Sequence, residues 1–319
     1  MNSVINSTLI FIFTVEFIIG NLGNGFIAMV SCVDWVKRRK ISLADQILTA
    51  LAISRTGLLW LVFLSWYVSV FYPALLTSEK FSRTLTVTWT VANHFSIWLA
   101  TSLGIFYFLK IANFSNSIFL YLKWRVKKVV SVILLVTLVL LFCNTALINI
   151  HVNAWINGYK RNRTCTSNSS SFVQFSNLLL FTNTTFTLIP FTLSLTTFVL
   201  LLFSLWKHVK KMQHGAKGPG DANTTVHVKA MQAVIAFLLL YAIFFLSYFM
   251  PIWTSDLLEK NMIITFCQTF GMAYPSGHSC VLILQNSKLR QASLSVLWWL
   301  RCRLKDREPP GPTPFRESS

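Results

Sequence analysis

Residues 129–150 read VVSVILLVTLVLLFCNTALINI, an unbroken run without a charged side chain. A membrane-spanning helix needs about 20 mostly apolar residues to cross roughly 30 Å of hydrocarbon. Lys127 and Lys128 stand directly before the run, so its apolar character begins abruptly. The stretch therefore predicts a helix that crosses a lipid bilayer.

Six further segments have a similar length and apolar character, and polar or basic connectors separate all of them. They cover residues 8–30, 46–72, 84–109, 177–205, 228–253 and 262–284. The sequence therefore predicts an all-α membrane protein built as a bundle of seven transmembrane helices. Because seven is an odd number, the two termini face opposite sides of the membrane.

The composition agrees with lipid as the solvent. Hydrophobic residues make up 54% of the 319 residues and charged residues only 12%, whereas soluble domains are about 25% charged. So apolar a chain has too little polar surface for water, which excludes a water-soluble enzyme, a coiled coil and a disordered protein. A net charge of +18 in a soluble protein would indicate a nucleic-acid partner. In a membrane protein it indicates topology, and we expect no nucleic-acid partner.

Basic residues indicate how the bundle is oriented. Of the 28 Lys and Arg residues, 21 fall on one side, six fall on the other, and Arg55 lies inside a span. The side rich in basic residues is predicted to be cytoplasmic, in a multi-pass protein of the plasma membrane. We expect an extracellular N-terminus (1–7), the bundle (8–284), a cytoplasmic juxtamembrane helix (285–306) and a Pro-rich disordered tail (307–319).

Patterns that carry catalysis or metal binding are missing from the sequence. It has no His-Glu-x-x-His zinc motif, no Gly-rich phosphate loop, no Gly-x-Ser-x-Gly turn and no paired carboxylates at membrane depth. Its six His residues are scattered. We therefore expect no catalytic residue, no metal site and no other cofactor.

Two N-glycosylation sequons lie in the long second extracellular connector, at Asn162 and Asn168. They are on the side of the membrane where glycosylation takes place, so both are predicted as acceptors. Cys165 lies between them as the single cysteine well inside an outer connector. A disulfide is therefore not required.

Ionisable side chains inside a span are costly and indicate either a functional site or a structural network. The candidates are Glu16, Arg55, His94 and His278. At 1.5 Å per residue, Arg55 and Asn24 lie at similar depth beyond the first basic connector. We expect Arg55 to donate to Asn24 and to a polar group of another span such as Ser279. Such contacts serve either as static links between helices or as a switch that repacks on activation.

Trp89 and Asn93 in the third span are four residues apart, so they face one side of a helix near its outer end. The pair suits an apolar ligand that carries one or two polar atoms. An equally good explanation places Trp89 at the membrane interface and Asn93 in an interhelical hydrogen bond.

Aromatic residues recur at helical spacing in the sixth span and put Tyr241, Phe244 and Tyr248 along one side. Such a stripe is more often core or lipid contact than pocket. With Gln268 of the seventh span and Phe186 of the fifth, it would complete an aromatic pocket with few charges. That pocket would favour weakly polar organic molecules and would offer no salt bridge to a strong acid or amine.

The motifs of rhodopsin-like receptors are absent, because the third span ends FYFLK (106–110) instead of carrying Asp-Arg-Tyr. Other stretches closely resemble the bitter taste receptors, the type 2 taste receptor family, over nearly the whole chain. The matching stretches are ILTALAISR (47–55), NHFSIWLATSLGIFYFLKIANFS (93–115), IPFTLSL (189–195), LFSLWKH (202–208), YPSGHSCVLIL (274–284) and NSKLRQ (286–291).

The resemblance implies a seven-transmembrane receptor of the G-protein-coupled architecture that binds small bitter molecules. It implies a ligand pocket walled by Trp89, Asn93, Phe186, Phe244, Tyr248 and Gln268. It also implies an activation network made of Asn24, Arg55, Tyr241, His278 and Ser279. Gln268 stands where some members of the family carry Glu, which argues against a direct ion pair with cationic alkaloids.

Signalling through a heterotrimeric G protein, gustducin or a related Gi type, is implied as well, followed by phospholipase C-beta and calcium release. Lys110, His208 and Lys211 are the predicted contacts, although membrane topology explains their charges equally well. The sequence leaves open pairing with a second copy or with another receptor. A vomeronasal type 1-like pheromone receptor is the alternative, and the lack of internal repeats disfavours a small-solute transporter.

Overall fold

A computed structural model describes residues 2–38, 41–76, 78–161, 169–215, 222–250 and 257–305. Within these ranges it contains ten helices and no strand. In chain order they are α1 (Asn2–Arg38), α2 (Leu43–Phe71), α3 (Pro73–Leu76), α4 (Glu79–Ile111), α5 (Ser117–Trp124), α6 (Val126–Arg161), α7 (Ser169–Gly215), α8 (Ala222–Phe249), α9 (Leu257–Gln285) and α10 (Ser287–Lys305).

Six helices are long and apolar enough, over their described residues, to cross a membrane. Their apolar parts are Ser7–Lys37, Leu43–Phe71, Glu79–Ile111, Val126–Trp155, Leu178–Lys210 and Ala230–Ser247. The seventh predicted span, 262–284, lies within α9, where Gln268, His278 and Ser279 interrupt the apolar run. The prediction of an all-α membrane protein is confirmed.

The long helices close a ring in the order α1, α2, α4, α7, α8, α9 and back to α1. Helix α6 packs outside this ring, against α4 and α7. Helix α4 is the most buried of the six apolar spans because it contacts α2, α6 and α7 at once. Residues of α4 are therefore well placed to face the interior of the bundle.

Polarity is distributed as expected for a protein whose solvent is lipid. Large apolar side chains such as Leu22, Phe142 and Leu239 are exposed on the outside, whereas Asn24 and Arg55 are buried inside. Polar groups in lipid persist when they face the bundle interior and find partners there. The interior of the ring is therefore where functional contacts are to be sought.

Small residues allow two pairs of helices to approach closely. A methyl group added to Gly20 of α1 would collide with the Ser276 hydroxyl of α9. A methyl group added to Gly104 of α4 would lie 2.8 Å from Cζ of Phe198 in α7. Packing of small residues is a main source of helix association in membranes.

At the basic end of the bundle, α10 is fixed to two other helices by Lys288. Its ammonium group lies 2.7 Å from a carboxylate oxygen of Asp34 in α1 and 3.5 Å from one of Asp45 in α2. The Asn286 side chain accepts from the backbone N–H groups of Lys288 and Leu289 and so caps the start of α10. These contacts hold α10 beside the cytoplasmic ends predicted for α1 and α2.

Candidate functional site

Asn24 of α1 is held against α9 by two hydrogen bonds. Its Nδ2 donates to the carbonyl of Pro275 at 3.3 Å, and its Oδ1 accepts from the Ser279 hydroxyl at 2.7 Å. Nearby, the Ser276 hydroxyl donates to the carbonyl of Glu16 at 2.8 Å. Helices α1 and α9 therefore share a polar contact in the interior of the bundle.

Arg55 has a different partner from those that the sequence predicts. The predicted acceptors were Asn24 and Ser279, but these two bond to each other, and Nη2 of Arg55 lies 2.6 Å from Nδ1 of His278. The guanidinium carbon also lies 4.9 Å from the centre of the Tyr274 ring. The position along a helix predicts how deep a side chain lies in the membrane, but not the direction in which it points around the helix axis. His278 precedes Ser279 by one residue and therefore points in a different direction from α9.

A cluster of aromatic rings connects this polar centre with the outer half of the bundle. The ring centroid of Tyr274 lies 5.2 Å from that of Tyr241 and 5.0 Å from that of Phe244. Phe237 packs edge-on against His278 with centroids 4.4 Å apart. Tyr241, predicted as an activation residue, is thus in direct contact with Tyr274, the ring against which the Arg55 guanidinium packs.

Next to these rings lies a cavity of about 430 Å³ that is lined by residues of five helices. It is bounded by the C-terminal halves of α2 and α8 and the N-terminal halves of α4, α7 and α9, opposite the basic connectors. Its lining residues are Leu58, Leu59, Val62, Ser65, Ser82, Leu85, Thr86, Trp89, Asn93, Leu179, Leu180, Asn183, Phe244, Ser247, Cys267, Gln268, Gly271, Met272 and Pro275. The described lining includes no Asp, Glu, Lys, Arg or His.

Four of the six predicted pocket residues line this cavity, namely Trp89, Asn93, Phe244 and Gln268. Phe186 is half-buried in α7 and is not among the lining residues. The side chain of Tyr248 lies outside the described residues. The structure therefore brings together the predicted residues of α4, α8 and α9.

Asn93 carries a buried acceptor in the wall of the cavity. Its side chain is only 3% exposed, and within the described part of the chain its Oδ1 has no hydrogen-bond partner. A buried acceptor without a partner is destabilising unless a bound molecule donates to it. A ligand that carries a hydroxyl or N–H group would satisfy this acceptor once the Asn93 side chain turns toward the cavity.

A second amide, Asn183 of α7, lines the same cavity and was missed by sequence reasoning. Its Oδ1 lies 3.5 Å from Thr90 Oγ1 and 3.5 Å from Asn144 Nδ2, both long contacts. In the sequence, Asn183 is an amide inside an apolar span. This pattern by itself does not show which side of the helix faces the interior. Asn183 links α4, α6 and α7 beside the cavity.

Pro275 interrupts the hydrogen-bond pattern of α9 at the cavity wall. A proline inside a helix has no N–H to offer the carbonyl four residues earlier, which here is the carbonyl of Gly271. Both residues line the cavity. Gln268 lines the same wall of α9.

The predicted G-protein contacts lie at the opposite, basic end of the bundle. Lys110 is at the C-terminal end of α4, and His208 is near the C-terminal end of α7, where both are exposed. Lys211 follows His208 in α7, and its side chain lies outside the described residues. The predicted glycosylation sites Asn162 and Asn168 also lie outside them.

Comparison with known proteins places this architecture in a family. The sequence model of the taste receptor proteins (TAS2R) matches residues 1–301. The chain is 67% identical over 319 residues to taste receptor type 2 member 14 of Gorilla gorilla gorilla and of Homo sapiens, covering 100% of each chain. It is 56% identical over 306 residues to taste receptor type 2 member 125 of Rattus norvegicus, covering 96% of this chain and 98% of that protein.

Proposed function

The chain belongs to the taste receptor family, and we propose that its cavity is the binding site for small, mostly apolar bitter compounds. As a bitter taste receptor with seven transmembrane helices, it is a signalling receptor and not an enzyme. Family membership removes the pheromone receptor and transporter alternatives.

The neutral lining of the cavity carries this proposal. A volume of about 430 Å³ falls within the range usual for sites that bind small organic molecules. Leucines and the rings of Trp89 and Phe244 supply apolar contact, and Asn93, Asn183 and Gln268 supply a few polar atoms. Without a charged side chain in its described lining, the cavity selects uncharged molecules of varied shape.

We infer that the aromatic cluster transmits ligand binding toward the cytoplasmic side. Phe244 lines the cavity and contacts Tyr274. The Tyr274 ring in turn contacts the guanidinium of Arg55. A ligand that displaces Phe244 acts on α8 and α9 together. Asn24, Arg55, Tyr241, His278 and Ser279 then form the activation network, and a ligand shifts its conformation only by binding one arrangement better than another.

A heterotrimeric G protein, gustducin or a Gi relative, is the proposed partner at the basic end. Lys110 and His208 are exposed there, and Lys211 follows on the same helix. The proposed orientation places this end in the cytoplasm, the N-terminus outside the cell and glycans on Asn162 and Asn168. Phospholipase C-beta and calcium release follow from the same coupling.

Calcium release in cells that co-express the receptor with a gustducin-type chimeric G protein tests the binding site. The cells are challenged with chemically diverse bitter compounds, and the receptor is compared with Trp89→Ala and Asn93→Ala. We expect each variant to lose potency by about tenfold or more, because a buried ring contact or hydrogen bond to the ligand is removed.

Phe142→Ala is the matched control, since this aromatic residue is 75% exposed on the lipid-facing side of α6. It should respond with wild-type potency at equal surface expression. Wild-type potency in both cavity variants would place the binding site elsewhere. A surface-expressed wild type that answers no compound, while a control bitter receptor does, would overturn broad recognition.

A further inference from the structure

Asn144 is a buried amide in the helix that packs outside the ring. Helix α6 is the least buried of the six apolar spans, and none of its described residues lines the cavity. Asn144 is nevertheless only 3% exposed, and its Nδ2 lies 3.5 Å from Oδ1 of Asn183 in α7. Asn183 lines the cavity. Polar side chains in a span face the bundle where they find partners, so Asn144 connects α6 with the cavity wall.

The surroundings of Asn183 fix the orientation of its amide. Its Nδ2 donates to the carbonyl of Leu179 at 3.1 Å, a position where Oδ1 would meet another oxygen. Oδ1 consequently faces Asn144 Nδ2 and the Thr90 hydroxyl, both at 3.5 Å. The Thr90 hydroxyl has a single hydrogen, and it also donates to the carbonyl of Thr86 at 2.9 Å. Asn144 is therefore the main donor from another helix to Asn183.

We propose that Asn183 recognises a hydrogen-bond acceptor of the bound molecule, such as a carbonyl oxygen, and that Asn144 positions it for this contact; the inference rests on the proposed binding site. An amide nitrogen carries two N–H groups. Among the described residues, Nδ2 of Asn183 donates to the Leu179 carbonyl alone, which leaves the second N–H for a ligand. Oδ1 is turned to Asn144 and Thr90, which are not among the lining residues.

Removal of the Asn144 amide would change what Asn183 offers to the ligand. Oδ1 of Asn183 would lose its main donor, and a buried acceptor without a partner is destabilising. The amide would then turn about its Cβ–Cγ bond and no longer hold its N–H toward the ligand. A helix without a described lining residue thereby takes part in recognition.

Calcium responses to two uncharged aromatic probes test the proposal. Coumarin is a lactone, and 2H-chromene carries a methylene group in place of the lactone carbonyl. We expect the wild type to prefer coumarin by about three- to tenfold in potency, the effect of one neutral hydrogen bond. Asn183→Leu removes the donor at similar side-chain size and should abolish the preference. Asn144→Leu should also abolish it, and the double variant should show no further change, because both residues act on one contact.

Asn149→Leu is the matched control, because the Asn149 amide of α6 donates to the carbonyl of Thr145 in its own helix. It should keep the wild-type preference. Where a leucine variant does not reach the cell surface, the alanine variant at the same position removes the same amide and decides.

Three outcomes would overturn the proposal. They are a wild type that does not prefer coumarin, an Asn183→Leu variant that keeps the preference, and an Asn144→Leu variant that keeps it. Trp89→Ala separates this proposal from the proposed binding site. It should weaken both probes and leave their ratio unchanged, whereas wild-type potency for both probes in Trp89→Ala would contradict the binding site itself.

Discussion

Tyr241 of α8 stacks on Tyr274 of α9, with ring centroids 5.2 Å apart and planes inclined by 27°. Both rings are almost completely buried, at 1% exposure each. The stack lies between Phe244, which lines the cavity, and Arg55, whose guanidinium sits on Tyr274. Any displacement of α8 relative to α9 must rearrange this stack, because close-packed interiors do not deform continuously.

Replacing Tyr241 by Leu should therefore weaken signalling more than ligand binding. The substitution keeps an apolar side chain but removes aromatic contacts worth about 0.5–1.5 kcal/mol per pair. Tyr241 does not line the cavity, so the potency of agonists should change by less than about threefold while the maximal calcium response falls clearly. A shared loss of potency and maximum would instead assign Tyr241 to ligand binding.

Calcium responses of Tyr241→Leu are compared with those of Phe142→Leu at matched surface expression. Phe142 lies on the lipid-facing side of α6 and is 75% exposed, so its substitution should leave the maximal response unchanged. An unchanged maximum in Tyr241→Leu would show that the stack takes no part in activation.

Close approach of α4 and α7 at Gly104 gives a prediction about stability. The methyl group of Gly104→Ala would lie 2.8 Å from Cζ and 3.1 Å from Cε2 of Phe198. Phe198 is 7% exposed and belongs to the main apolar core, so its ring has little room to move. We expect overpacking to cost about 1–3 kcal/mol, seen as a lower Tm of the purified receptor.

Gly25→Ala is the control for this substitution. A methyl group added at Gly25 meets nothing within 4 Å, and alanine is the better helix former by up to about 1 kcal/mol. Gly25→Ala should therefore unfold at the wild-type temperature or slightly above it. Equal Tm values for the two variants would show that α4 and α7 are not tightly packed at Gly104.

The sequence predicts the spans well because lipid imposes a simple rule on them. A run of about 20 apolar residues is needed to cross the hydrocarbon. The run at 84–109 falls inside α4, and the run at 46–72 falls inside α2 except for its last residue. Helix ends are less predictable. Helix α7 extends from Ser169 to Gly215, well beyond the predicted 177–205, because a helix continues past the membrane where polar residues still permit it.

Spacing along a helix predicts which residues share a face but not which face turns inward. Trp89 and Asn93 are correctly placed on one side of α4, and the structure shows that this side faces the cavity. Asn183 lies on the same cavity from α7, although its own sequence context resembles any amide in an apolar span. The partner of Arg55 depends on the rotation of α9 relative to α2, which is set by tertiary packing.

The position of Gln268 in the neutral cavity predicts how ligand preference changes with one substitution. Gln268→Glu keeps the size of the side chain and adds a carboxylate, while no basic residue of the described lining is available to pair with it. A protonated amine ligand would pair with this carboxylate. Hydrogen bonds to charged groups contribute about 1.5–3 kcal/mol, so potency for such amines should rise by about tenfold or more. Neutral ligands should lose potency because they bury the carboxylate without a partner.

Calcium responses to an amine and to its uncharged isostere, measured side by side, separate these two effects. Gln291→Glu introduces the same charge on an exposed position of α10 and should leave both potencies unchanged. The ratio of the two potencies is the relevant quantity, because it is independent of the amount of receptor at the surface. If Gln268→Glu leaves this ratio at its wild-type value, Gln268 does not contact the ligand.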